Sequence, residues 1–531
     1  MLLLNSALFI LCLVCWLPGT SSSRVLTRRE GPQCSRSVDV AVVGAGPSGT
    51  YSAYKLRNKG QTVELFEYSN RIGGRLFTTH LPNVPDLNLE SGGMRYFKNN
   101  HKIFGVLVKE LNLSNKEFTE GFGKPGRTRF FARGKSLTLE EMTSGDVPYN
   151  LSTEEKANQA NLAGYYLKKL TGFDGEVLTI PQANKLEVDD GRKLYQLTVD
   201  EALDKVGTPE GKEFLKAFST GNTEFIEGVS AVNYFLVELG EREEEILTLT
   251  DGMSALPQAL ASAFLKSSTS HALTLNRKLQ SLSKTDNGLY LLEFLETNTH
   301  EGYTEESNIT DLVCARKVIL AIPQSALIHL DWKPLRSETV NEAFNAVKFI
   351  PTSKVFLTFP TAWWLSDAVK NPAFVVKSTS PFNQMYDWKS SNVTGDAAMI
   401  ASYADTSDTK FQENLNSKGE LIPGSAPGAN RVTVALKEEL LSQLSQAYGI
   451  ERSDIPEPKS GTSQFWSSYP FEGDWTVWKA GYHCEYTQYI IERPSLIDDV
   501  FVVGSDHVNC IENAWTESAF LSVENVFEKY F

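Results

Sequence analysis

The sequence predicts an α/β fold, and three observations predict it. Residues 38–67 run as an apolar strand, a glycine-rich turn, a helix-like segment and a second strand ending in an acid. Residues 152–240 turn to helical periodicity. Later segments, 273–282, 290–294 and 318–323, again read as short apolar strands, the second of them after the turn Asp286-Asn287-Gly288.

The first unit is the most specific. Val38-Asp39-Val40-Ala41-Val42-Val43 is followed by Gly44-Ala45-Gly46-Pro47-Ser48-Gly49, a helix-like run from Ser48 to Asn58, and Glu67, 18 residues past Gly49. With a strand before it and a helix after it, this is a Rossmann-type dinucleotide fingerprint; out of that context the glycines would be a structural turn. Gly44 permits the tight turn, Gly46 lets backbone approach a pyrophosphate, and Gly49 lets the helix lie against the strand. Pro47 and Ser48 open the helix, whose unpaired N–H groups attract the anion. Glu67 is expected to accept ribose hydroxyls, and its charge would repel a 2'-phosphate, which disfavours NADP.

The chain has 531 residues, 41% of them hydrophobic and 11% aromatic, enough for large cores in two or three domains. Residues 1–23 have the layout of a secretory signal: Leu2 to Leu17 is apolar apart from Asn5 and Ser6, and Pro18, Gly19 and small residues follow. One departure is that no Lys or Arg precedes the apolar stretch. That stretch is short for a membrane span, which needs about 20 residues, so a secreted, extracellular protein without membrane insertion is expected. Sequons at Asn112, Asn150, Asn308 and Asn392 agree with secretion. Beyond the leader, Cys34, Cys314, Cys484 and Cys510 remain, and their three possible pairings stay open. The histidines are scattered and no metal motif appears, so no metal is expected. A net charge of −14 argues against nucleic acid and anionic membranes as partners.

Thr198-Val199-Asp200-Glu201 is a capping box opening one helix of the 152–240 region. Residues 407–430, rich in Gly, Pro, Ser and Asn, read as an exposed loop.

After Glu67 the chain continues Tyr68-Ser69-Asn70-Arg71-Ile72-Gly73-Gly74-Arg75-Leu76-Phe77-Thr78. Together these residues fit E-x-x-x-R-x-G-G-R-x-x-T, which resembles the flavin amine oxidase superfamily. Arg71, Gly74 and Arg75 would then bind pyrophosphate and line the flavin with forked donors; the alternative for the arginines is a solvated surface pair. Leu89-Glu90-Ser91-Gly92-Gly93-Met94-Arg95 resembles the L-amino-acid oxidase form of the family's glycine-rich strand. There Gly93 and Met94 adjoin the flavin and Arg95 holds the substrate carboxylate, although a structural salt bridge is an alternative use for Arg95.

The same resemblance assigns further residues. Lys354, in Thr352-Ser353-Lys354-Val355-Phe356-Leu357, would hold a water near flavin N5, against the default of a snorkelling surface lysine. Tyr386 would share the carboxylate with Arg95, or belong to the core. Trp515 and Trp478 would wall an aromatic slot, or fill a core. Leu279 is counted among the cofactor contacts, as are Gly504, Ser505, Asp506, Ala514 and Thr516 in the closing segment. That segment departs from the family: Ser505 replaces the usual acid, with Asp506 as its substitute, and Ala514 replaces a glycine. Where some relatives attach FAD through cysteine, Lys479-Ala480-Gly481-Tyr482-His483 carries Tyr482, so non-covalent FAD is expected. No histidine lies between Asn112 and Gly240 to serve as the family's base, which leaves His483 as the one candidate near a site motif.

The resemblance implies an FAD-binding domain assembled from 37–98, 246–332 and 485–531. It further implies a mixed-sheet substrate domain from 99–151 and 333–484, and a helical subdomain at 152–245. It implies a secreted L-amino-acid oxidase of the molluscan antibacterial kind, with a small L-amino acid and O2 as reactants and hydrogen peroxide as product. Contact with a bacterial surface and self-association are left open. An amine or polyamine oxidase, with Arg95 structural, is one alternative. A non-catalytic surface- or carbohydrate-binding protein on an oxidase fold is the other.

Overall fold

The computed structural model describes residues 34–118, 126–218, 225–240, 245–467, 475–508 and 515–531. The expected leader, Ala514 and Cys510 therefore lie outside the described residues. The strand Arg36–Val43 forms from the apolar run read above and is the centre of a seven-stranded sheet. On one side it pairs in parallel with Val63–Phe66, which pairs in parallel with His271–Thr274. On the other it pairs in parallel with the second half of the long strand Tyr303–Leu320. The first half of that strand pairs antiparallel with Tyr290–His300, and this in turn with Arg277–Lys284; Val500–Val502 closes the sheet in parallel with its end. Strands from three distant parts of the chain thus share one sheet, and their carboxyl ends meet where open α/β sheets bind ligands.

The helix Pro47–Leu56 starts directly after the glycine turn, with Pro in its first turn and no side-chain cap, so its first N–H groups remain for an anion. It packs against the helices Ala255–Ser267 and Thr516–Tyr530. A second seven-stranded sheet combines Thr128–Ala132 and Lys135–Thr138 with five strands between Thr352 and Phe465. Its faces bury different clusters. Val355, Leu357 and Met399 point to the helix Val434–Tyr448, whereas Phe356, Tyr386 and Ile400 point to Leu89 and Met94 of the glycine-rich segment.

Helices including Leu162–Thr171, Val199–Val206, Pro209–Phe218 and Ala231–Leu239 enclose a third core. The Thr198 capping box forms in both directions: Glu201 N–H donates to the Thr198 hydroxyl at 3.1 Å and Thr198 N–H to the Glu201 carboxylate at 2.9 Å. This core includes Val347, Ile350, Val477 and Trp478 from the two-stranded ribbon Val347–Ile350 with Trp475–Trp478.

One expectation fails here. Residues 407–430 are not all loop, because Thr406–Asn416 is a helix. Its inward face is polar, which hid its period: Thr409, Gln412 and Asn416 are buried and bond to the carbonyls of Ala404, Pro381 and Arg431 at 2.8, 2.7 and 2.8 Å. Of the cysteine pairings left open, the structure takes Cys34 with Cys314, tying the start of the first strand to Tyr303–Leu320, and Cys484 is disulfide-bonded as well. All four sequon asparagines are exposed. Among the described residues no helix is long and apolar enough to cross a membrane, and no group of metal-ligating side chains occurs.

Candidate active site

A cavity of about 230 Å3 lies at the carboxyl ends of the first sheet. Fourteen of the residues singled out in sequence line it: Gly44, Gly46, Pro47, Ser48, Glu67, Arg71, Gly74, Arg75, Gly93, Leu279, Gly504, Ser505, Trp515 and Thr516. The glycines have separable jobs. Gly44 has φ of +103°, and a Cβ there would meet the Ala321 carbonyl oxygen at 2.3 Å. A Cβ on Gly49 would lie 1.7 Å from the Gly44 oxygen, so Gly49 does not line the cavity but lets the helix seat on the turn. At Gly46 a Cβ would meet nothing nearer than the Gly74 Cα at 3.7 Å. The two glycine segments thus pack backbone against backbone, a Cβ on Gly74 lying 3.0 Å from the Gly46 Cα, and Gly73 N–H donates to the Ala45 oxygen at 2.9 Å to hold them together.

Glu67 is fixed by three donors: Ala45 N–H at 2.8 Å, and Ser69 N–H and hydroxyl, both at 3.0 Å. A carboxylate has about four acceptor positions, so capacity remains for a ribose hydroxyl. These residues fit a dinucleotide: a helix N-terminus, a side-chain-free cradle and an oriented acid converge on one cavity. The arginines are not a solvated pair. Arg71 donates to the Gly74 oxygen at 2.9 Å and stacks 4.2 Å from the Phe77 ring centre.

Arg75 corrects the expected role of Asp506. Both its terminal nitrogens donate to Asp506 at 3.1 Å, and one also reaches the Ser505 hydroxyl at 3.2 Å. The other Asp506 oxygen accepts from Gln324 N–H at 2.9 Å, and Asp506 is buried. Its carboxylate is therefore engaged behind the cavity wall, orienting Arg75, and Ser505 is the residue of the pair that borders the cavity.

The substrate-side residues sit beside this cavity, beyond Gly93. Along the extended segment, Gly93 borders the cavity, Met94 is buried against the second sheet, and Arg95, two residues past Gly93, is partly exposed. Arg95 donates to the Tyr386 phenol and lies 5.3 Å from the Phe118 ring centre. Lys354 is 3% exposed, which rules out snorkelling. Its ammonium donates to the carbonyls of Glu90 and Gly92 at 3.1 and 2.5 Å, so it clamps the backbone leading to Arg95. Burial pulls the Lys354 ammonium down to about 7, against the opposing pull of the Glu90 charge. Burial likewise pushes the Glu90 carboxyl up to about 7, although Met253 N–H and the Thr78 hydroxyl both donate to it at 2.9 Å.

The aromatic wall also needs correcting. Trp475 and Trp478 lie at opposite ends of one strand, three positions apart, so they point to opposite faces. Trp475 lines the cavity together with Trp466 and Trp515, while Trp478 is buried in the helical core and contacts His507 edge-on. Behind Trp515 stands His101, 1% exposed, its ring centre 5.0 Å from the indole. Desolvation pulls its imidazole down to about 4, so it stays neutral at ordinary pH. The structure does not bring His483 to the cavity. It precedes the helix Cys484–Glu492 and meets Tyr195 edge-on with 5.6 Å between ring centres. Trp466 and Trp475 were missed in sequence; the period-2 face of 475–478 was the available signal for the latter, whereas His101 carried none.

Tyr482, at the position where some relatives carry the linking cysteine, does not line the cavity; its hydroxyl donates to Glu342 at 2.8 Å. Acid precipitation of holoprotein should therefore release all its flavin to the supernatant. Yellow colour retained in the pellet would contradict a non-covalent cofactor.

Residues 47–523 match the family described as flavin containing amine oxidoreductase. The chain is 50% identical to Aplysianin-A of Aplysia kurodai over 94% of its own length and 92% of that protein. It is 23% identical to an L-amino-acid oxidase of Bungarus fasciatus over 74% of this chain and 71% of the relative. Among solved structures, wild-type putrescine oxidase bound to putrescine superposes with a TM-score of 0.66 at 16% identity, covering 93% of this chain and 99% of that one. The cyclohexylamine oxidase of Brevibacterium oxydans superposes with a TM-score of 0.64 at 16% identity, again covering 93% and 99%. At such identities these two speak for the fold alone.

Proposed function

The chain belongs to the family of flavin-containing amine oxidoreductases and takes FAD, and from that premise we propose that it is a secreted L-amino-acid oxidase. The overall reaction is L-amino acid, water and O2 to 2-oxo acid, ammonia and hydrogen peroxide. The observation that carries the reading is Arg95, partly exposed two residues beyond the cavity-lining Gly93 and bonded to Tyr386. A guanidinium there can pair bidentately with a carboxylate and fix which face of the substrate Cα meets the cofactor. When bound, FAD supplies the two-electron acceptor that O2 then reoxidises. The protein's own part is positional. Glu67, the two glycine segments and Arg75 hold the dinucleotide, Lys354 fixes the backbone before Arg95, and Trp466, Trp475 and Trp515 supply apolar walls that exclude water. An amine or polyamine oxidase would need no carboxylate partner, and a non-catalytic binder would need no cofactor cradle.

The leader-like start and the exposed sequons support secretion. We read the antibacterial role as one exerted through peroxide. At −14 the chain lacks the attraction by which cationic peptides reach anionic envelopes. Holoprotein should form peroxide from L-amino acids, not from the amines lacking their carboxylate. Its inhibition of bacterial growth should require L-amino acid in the medium and disappear with catalase. Killing undiminished by catalase in amino-acid-free medium would move the reading to the non-catalytic alternative.

A further inference from the structure

Behind the wall of the cofactor cavity the helix Glu338–Asn345 ends, and the carbonyl groups of its last turn need donors from outside the helix. Two consecutive ones receive side chains. Gln324 Nε2 donates to the Phe344 oxygen at 3.0 Å, and the His507 ring donates to the Ala343 oxygen. Each side chain then has one acceptor left over, Gln324 Oε1 and His507 Nε2. Both atoms are buried, and neither has a hydrogen-bond partner among the described residues.

The proton positions follow from these bonds. Only the amide nitrogen of Gln324 can donate to a carbonyl, which leaves its oxygen a pure acceptor. Burial pulls the His507 imidazole down to about 4, against the opposing pull of the Asp506 charge, so the ring is neutral at ordinary pH. With its other nitrogen donating to Ala343, Nε2 carries a lone pair. A buried acceptor without a donor forfeits its hydration for nothing, and native structures rarely leave one so, still less two on one cavity. Both residues line a cavity of about 20 Å3, and a buried water needs roughly 10 to 15 Å3. The room is that of a single water. Ser522 lines it as well, and its oxygen accepts from Gly504 N–H at 3.1 Å, which leaves its own proton to donate. A water there can give one proton to Gln324 Oε1 and one to His507 Nε2 while accepting from Ser522, about the three bonds typical of a buried water. Ile322 and Gly504 line both this cavity and the cofactor cavity, so the two share a wall.

We propose that Gln324, His507 and Ser522 bind one ordered water, and that this water steadies the cofactor site through Asp506. The link is Gln324. Its main-chain N–H holds one oxygen of Asp506, whose other oxygen accepts from Arg75 on the cavity wall. The Gln324 side chain is anchored by the Phe344 carbonyl on one side and by the water on the other. Loss of the water loosens the residue that fixes Asp506, and Arg75 with it. The inference requires the FAD site alone and does not depend on which substrate the protein oxidises.

A crystal structure of the holoprotein, at a resolution that shows ordered solvent, should place a water within hydrogen-bond distance of both Gln324 Oε1 and His507 Nε2. His507→Gln can still donate to Ala343 and accept from the water, whereas His507→Leu can do neither. Release of FAD from His507→Leu, followed as the rise of flavin fluorescence on dilution, should be about 10-fold faster than from the wild type, the scale of one lost hydrogen bond. His507→Gln should release FAD at close to the wild-type rate. Where His507→Leu does not fold, Gln324→Met takes its place, since it keeps the main-chain bond to Asp506 and loses both side-chain ones, and the same acceleration is expected. A wild-type map without that water would overturn the proposal whether or not any variant folds. Unchanged FAD release from the apolar variant, or equally fast release from His507→Gln, would overturn it as well.

Discussion

Arg95→Met is expected to lower kcat/KM for L-amino acids on the order of 30-fold to several-thousand-fold, because truncating one partner of a desolvated charge pair typically costs about 2 to 5 kcal/mol. The loss should fall on substrate rather than cofactor. Arg95 does not line the dinucleotide cavity, and its backbone is held by Lys354 through the Glu90 and Gly92 carbonyls. Flavin content should stay near that of the wild type. Steady-state kinetics on purified variant, with flavin measured on the same sample, checks both halves. Near-normal kcat/KM would mean that Arg95 does not hold the carboxylate.

Gly49→Ala should abolish cofactor binding. The added Cβ would stand 1.7 Å from the Gly44 oxygen and 3.2 Å from the Ala321 side chain, so the contact is with backbone and no rotamer relieves it. The helix Pro47–Leu56 must lift off the turn, which moves the N–H groups away from the pyrophosphate position. An affinity loss of at least about 100-fold, near 3 kcal/mol, is expected, and the protein should purify colourless. Gly60→Ala is the control. Gly60 has positive φ, +70°, but a Cβ there meets nothing within 4 Å. It should cost only about 1 kcal/mol of backbone strain and leave flavin content intact.

The contrast between these glycines explains why the cofactor end was legible in sequence. Gly44, Gly49 and Glu67 answer needs that lie within one strand, turn and helix, so their spacing suffices. Asp506 did not yield to that reasoning. Its partners Arg75 and Gln324 are 431 and 182 residues away, and only the folded sheet brings them together. Trp478 was preferred to Trp475 because nearness to Gly481 stood in for register, and a strand turns residues three apart to opposite faces. His483 failed for the same reason. The helix Thr406–Asn416 was missed because its buried face is made of hydrogen-bonding side chains instead of apolar ones. Arg95 was legible in its motif, but its Tyr386 partner and the Lys354 clamp depend on the second sheet.

The central claim, that this site oxidises amino acids held by their carboxylate, is tested most directly without oxygen. Holoprotein mixed anaerobically with a panel of common L-amino acids should lose its visible flavin band with at least one of them. It should keep that band with the matching amine that lacks the carboxylate. A band unmoved by every L-amino acid, or bleached as fast by the amine, would contradict the account.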